Sequence, residues 1–229
     1  MNQIPPLWKP HEFQDYNTKM GERCALIQAE IVANKERRSR ILADPKRLHA
    51  ELFADFTPAG YAEYAGTYRG TPGTTLANRR STAPSQLKQG SEFEFVSPDE
   101  VEGRMERMLN EVHRFLGEGN AGDYGNLLLL TYAFCWFGKI HPFLDGNGHV
   151  QCALFATIAT ELGYPLTNRF AIHPRPCDRL LAIALEIFTS APENNENNEL
   201  GLPAEYLGFF LGGRFDAPRK NLAASTPET

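Results

Sequence analysis

The sequence predicts a mainly helical, all-α fold with one small β-hairpin excursion. Two observations carry that reading. Apolar residues recur at intervals of three and four through most of the chain, the period of a half-buried helix. A single stretch, 59–96, breaks the pattern with Gly, Thr, Ser and Pro, and its TYR and FEFV ends favour strands. The chain has 229 residues, 42% of them hydrophobic, enough for a substantial core in one large domain or two small ones.

In chain order, Phe13, Tyr16, Met20, Cys24, Ile27 and Ile31 mark an amphipathic helix over 9–37. Leu48, Leu52 and Phe53 mark a second over 43–54. The 67–96 region reads as a hairpin. Ser97-Pro98-Asp99-Glu100 then opens a helix: Ser97 as cap, Pro98 at its first position, Glu100 closing a capping box. Val101, Met105, Met108, Leu109, Val112 and Phe115 supply its stripe, and Gly117 to Gly122 end it. YGNLLLLTYAFCWFG (124–138) is apolar on nearly every side, as in a helix buried at the centre of a domain. Another helix follows at 147–162, with Val150, Leu154, Phe155, Ile158 and Leu162 inward and Gly163 as its stop. A helix over 176–189, a polar linker at 193–201, a short helix over 203–211 and a loose tail from Arg214 complete the chain. Lys35, Arg37, Arg38 and Arg40 read as a solvated helix face.

Charge is mixed, 23 basic against 28 acidic residues for a net −5, which argues against nucleic-acid or anionic-membrane binding. Cysteines at 24, 135, 152 and 177 have no zinc-ligand spacing and read as reduced thiols. The N-terminal MNQIPPLWKPHEF has no apolar signal core, and no run of about 20 apolar residues exists to span a membrane. A cytoplasmic location is expected.

The unusual stretch is HPFLDGNGHVQC, residues 141–152, between two strongly apolar segments. Glycines at 146 and 148 let backbone approach a ligand. They stand where a helix begins, and its first N–H groups and dipole favour an anion such as phosphate. Asn147 adds an amide. Asp145 beside a phosphate would repel it unless Mg²⁺ bridged the two. His141 could take a proton from an incoming hydroxyl. The alternative is a plain turn, for which DGNG is a good sequence. What tips the balance is base, metal ligand and anion-binding glycines together within eight residues.

Those residues resemble the signature of the Fic family, H-x-F-x-[DE]-G-N-G-R-x-x-R, at His141, Phe143, Asp145, Gly146, Asn147 and Gly148. AGTYRG (65–70) and the later F-x-x-P-x-x-V resemble the family's flap region, so the likeness covers about 60–190. It implies a helical core with a β-hairpin flap, and division into an N-terminal helical extension (1–58), a Fic core (59–190) and a C-terminal linker, short helix and tail (191–229). The implied activity is Mg²⁺-dependent transfer of AMP from ATP to a Ser, Thr or Tyr hydroxyl of a target protein. His141 would be the general base and Asp145 the Mg²⁺ ligand. Gly146, Asn147 and Gly148 would bind phosphate, Phe143 would anchor the loop, and the flap at Thr71, Gly73, Thr74 and Thr75 would align the target by backbone pairing. An antitoxin partner or self-inhibition is a further implication. Thr189–Asn194 and Thr18–Glu22 partly fit the family's inhibitory pattern, with Pro192 and Arg23 against them.

Both arginines of the signature are replaced, by His149 and Cys152. In the family they contact the β and γ phosphates, which suits a planar cationic donor fork. His149 keeps a donor; Cys152 keeps neither charge nor fork. Two readings follow: a transferase, with ATP or another phosphate-containing donor, or a module that binds nucleotide or protein without turnover.

Overall fold

The structure is a computed structural model, and it describes residues 5–119, 122–164, 166, 170–173, 179–191, 200 and 203–205. The helix expected over 9–37 is three pieces. A 3-10 turn, Pro10–Glu12, precedes α1 (Tyr16–Ala33) and α2 (Lys35–Ala43). Asn34 divides them: its backbone is extended, and its side chain accepts the Arg37 N–H as cap of α2. An apolar period cannot register such a cap, because the stripe runs through it. Asp44 repeats the device for α3 (Pro45–Phe53), where Pro45 takes the first position.

The basic cluster is only half a solvated face: Lys35 and Arg40 are exposed, Arg37 and Arg38 are not. Arg37 is buried and pairs with Glu30 and Glu51, while Arg38 pairs with Glu161. These ion pairs tie α2 to its neighbours.

A small hairpin follows, β1 (Thr82–Pro84) antiparallel to β2 (Glu92–Glu94), with Ala83 opposite Phe93. It occupies only the far part of the span expected. The Ser97 cap does not form either: its hydroxyl bonds the Asp99 carboxylate, and a 3-10 turn, Pro98–Glu100, leads into α4 (Val101–Glu118). α5 (Gly122–Ile140), α6 (Asn147–Glu161) and α7 (Arg179–Ser190) follow.

The apolar α5 is central, packed on α4, α6 and α7, and α1, α2 and α3 lie on α6. Cys135, Phe137 and Ile140 of α5 meet Val150, Leu154 and Ile158 of α6 in one continuous core. Gly163 ends α6 as expected, left-handed at φ 82, with Tyr164 N–H to Ala159 O at 2.8 Å and Gly163 N–H to Thr160 O at 3.1 Å. Residues 203–205 are helical. The rest of that expected helix, most of the 193–201 linker, Cys177 and the tail lie outside the described residues. No described helix is long and apolar enough to cross a membrane. The short connection between the two central helices, residues 141–146, is the signature loop.

Candidate functional site

α5 ends at Ile140, and the chain turns at His141, the one non-glycine residue with positive φ (49°) among those described. A helix end leaves carbonyls without partners. Here Arg69 takes the last of them and that of His141. Its Nε donates to His141 O at 2.8 Å and Nη2 to Ile140 O at 2.9 Å. Nη2 also reaches Val96 O at 3.1 Å, and Nη1 reaches Arg79 O at 3.0 Å. Its backbone N–H donates to Pro142 O at 2.8 Å. A cation at the negative end of a helix dipole is favourable. Burial pushes the guanidinium down to about 10, still charged at neutral pH. One fully buried side chain thus joins the signature loop, the base of the hairpin and the end of α5.

Phe143 is fully buried, stacked on His49 of α3 with centroids 3.8 Å apart and planes 3° from parallel. Asn147 clasps its backbone: the Phe143 N–H donates to Oδ1 and Nδ2 donates to Phe143 O, both at 2.8 Å. The Asn147 side chain is thereby committed to the loop. Its own N–H and that of Gly148 lie at the first turn of α6, ahead of the first intrahelical bond, His149 N–H to Gly146 O at 3.0 Å.

His49 fixes the next segment. Its Nδ1 accepts the Gly66 N–H at 2.8 Å, so the ring proton sits on Nε2, which donates to Asp145 O at 3.0 Å. Full burial pushes its pKa down to about 3 and keeps it neutral. Gly146 follows at φ 77, where a Cβ would stand 2.4 Å from the Phe53 ring and 3.0 Å from His49 Nε2. Only glycine fits there, on both counts. The half-buried Asp145 carboxylate accepts the Gly146 N–H, which holds it at the mouth of α6.

The His141 ring is half-buried and lies flat against Phe95, just past β2, with centroids 3.9 Å apart and planes 12° from parallel. So His141, Phe143, Asp145, Gly146, Asn147 and Gly148 share one short, rigidly held loop. The flap residues named from sequence sit apart from the strands. Thr71, Gly73, Thr74 and Thr75 form turns, with Thr71 Oγ1 to Tyr68 O at 2.9 Å, Thr74 Oγ1 to Thr71 O at 2.7 Å and Thr75 Oγ1 to Glu63 at 2.7 Å. Hydroxyls that bond their own backbone favour turns over ladders.

The two replaced signature positions face inward. His149 is buried, hydrogen-bonded through Nε2 to His173 Nδ1 at 3.0 Å and edge-on to Phe53. Cys152 is half-buried near the Cys24 thiol of α1, which burial first and Cys152 second push up to about 12. Four arginines outside the signature are candidates to reach in for the two replaced: Arg79, whose Nη2 donates to Pro6 O at 3.2 Å, Arg80, which pairs with Glu94, and Arg169 and Arg175, which lie outside the described residues.

No group of three or more His, Cys, Asp or Glu side chains able to hold a metal exists among the described residues. A carboxylate such as that of Asp145 is a donor that Mg²⁺ accepts, since the ion takes one or two carboxylates and fills its shell with water and phosphate oxygens. Sequence reasoning missed His49, Arg69 and Phe95. AGTYRG contains Arg69 and flagged its segment, but nothing local announces an arginine whose partners are all carbonyls.

The Fic/DOC family profile matches residues 42–159, which include α3, the hairpin, α5 and nearly all of α6. Among solved structures, the chain is similar to the N-terminal FIC domain of Bep8, a VirB-translocated Bartonella effector protein from Bartonella sp. 1-1C. Identity is 15%, coverage is 90% of this chain and 91% of that one, and the TM-score is 0.51, a likeness of fold. No curated protein matches.

Proposed function

The chain belongs to the Fic/DOC family, and from that premise we propose that it is a Mg²⁺-dependent nucleotidyltransferase that moves AMP from ATP onto a Ser, Thr or Tyr hydroxyl of a target protein. The supporting observation is the loop itself. His141, Asp145 and the N–H groups opening α6 are held together by Asn147, His49 and Arg69. A turn with no ligand to bind has no need of so much fixing.

In this reading His141 takes the proton of the target hydroxyl, a poor nucleophile until deprotonated. The backbone N–H groups of Asn147 and Gly148, at the positive end of α6, cradle a phosphate, with Gly146 giving the clearance. Asp145 would hold Mg²⁺, which would supply charge to offset the phosphates against the carboxylate. The hairpin at 82–94, rather than Thr71–Thr75, would meet the target segment, since its strands have edge N–H and C=O groups to offer.

The test is label transfer from α-phosphate-labelled ATP into lysate with Mg²⁺, beside His141→Ala. A labelled band that vanishes in the variant is expected; label retained by the variant would sink the mechanism.

A second reading, binding without turnover, is favoured by one observation: His149, at the first arginine position, is engaged with His173 and buried. Nucleotide binding by titration, with no product under any metal, would select it.

A further inference from the structure

Phe95 lies outside the signature, yet it makes the closest ring contact that His141 has among the described residues. We propose that Phe95 is a positioning residue for His141, fixing the plane of its imidazole from the hairpin. This rests on the reading of His141 as general base.

The positive φ of His141 and the Arg69 bond to its carbonyl fix the backbone. The ring can still rotate about its own side-chain torsions. An imidazole accepts a proton along a lone pair in its ring plane, so a rotated ring aims at the wrong place. A flat contact at 3.9 Å and 12° opposes that rotation. Phe95 is itself held. Its N–H donates to Ser81 O at 3.1 Å, the next residue's N–H to Lys139 O at 3.3 Å, and Phe93 packs edge-on against its ring. Farther out, the buried Glu186 of α7 accepts Ser85 Oγ and the Gln86 N–H, which holds the start of the hairpin loop against the core. The hairpin thus arrives at His141 already placed.

The experiment compares the parent chain with Phe95→Ala, Phe95→Leu and Phe95→Tyr. Carbethoxylation of His141 by diethylpyrocarbonate, read by peptide mass spectrometry, is set against the exposed His11 and His113 in the same sample. Loss of one aromatic pair should raise the His141 ratio about three- to tenfold in Ala and Leu and leave Tyr like the parent. Where transfer is measurable, kcat should fall in Ala and Leu with KM for nucleotide unchanged, and Tyr should restore it. A His141 ratio unchanged in Phe95→Ala overturns the proposal, as does Leu protecting as well as Phe. A parent chain with no transfer would count against the nucleotidyltransferase reading alone, because the carbethoxylation ratio still decides the positioning role.

Discussion

The loop at 141–148 and the helix turn just after it, 149–152, lie next to each other and have been treated oppositely. In the loop nearly every polar contact serves shape. Asn147 clasps Phe143, His49 holds the Asp145 carbonyl, and Arg69 gathers the carbonyls at the end of α5. In the following turn His149 turns to His173 and Cys152 lies near Cys24 of α1. In the proposed site, backbone geometry and charge are therefore separable: hydrogen bonds hold the loop, while the turn after it is engaged in packing.

Substitutions can break that contrast, most severely on the loop side. Gly146→Ala combines a methyl 2.4 Å from the Phe53 ring with a left-handed backbone, and should cost about 3 kcal/mol in urea unfolding. A cost under 1 kcal/mol would mean that α3 yields easily and the loop is not rigid. Arg69→Met leaves buried carbonyls unsatisfied and should cost about 2–3 kcal/mol. Arg69→Lys should recover only part, since an ammonium lacks the fork that reaches four carbonyls.

His49 gives a pH signature. Its pKa is near 3 folded and about 6.5 unfolded, so only the unfolded chain takes up this proton between those values. The stability that His49 contributes is complete above about pH 6.5 and is lost toward pH 3, at up to about 1.4 kcal/mol per pH unit. Thermal melts of the parent and His49→Gln across that window should diverge, with the variant flatter. Parallel curves would rule out a buried neutral His49.

The smallest effects belong to the rebuilt turn. His149→Gln should cost only about 1 kcal/mol of stability, the scale of one hydrogen bond. Cys152→Arg sharpens the contrast most: one charge-assisted contact to phosphate should tighten ATP binding about tenfold by calorimetry. Unchanged affinity would mean that position 152 no longer borders the nucleotide.

Much of this was legible in the sequence, for reasons that can be named. The apolar run of α5, the Gly163 stop and the inward side of α6 follow from composition and period, which are local. Phe143 was expected as an anchor and is fully buried. What escaped depends on distant partners. His49 acts on Asp145 across 96 positions and Arg69 on His141 across 72, both through backbone oxygens that every residue has. Asn34 split a helix through a cap that leaves the apolar stripe intact. The flap was expected at 71–75, but the hydroxyls of Thr71 and Thr74 bond nearby backbone carbonyls in turns.

Because Arg69 grips main-chain oxygens only, the knot does not depend on which side chains stand at 79, 96, 140 or 141. Sequence change is cheap at 79, 96 and 140 as far as this contact is concerned, and expensive at 69. The neighbourhood of the loop can therefore change its side chains while its frame stays put, which gives a single arginine the role of a keystone under a changeable façade.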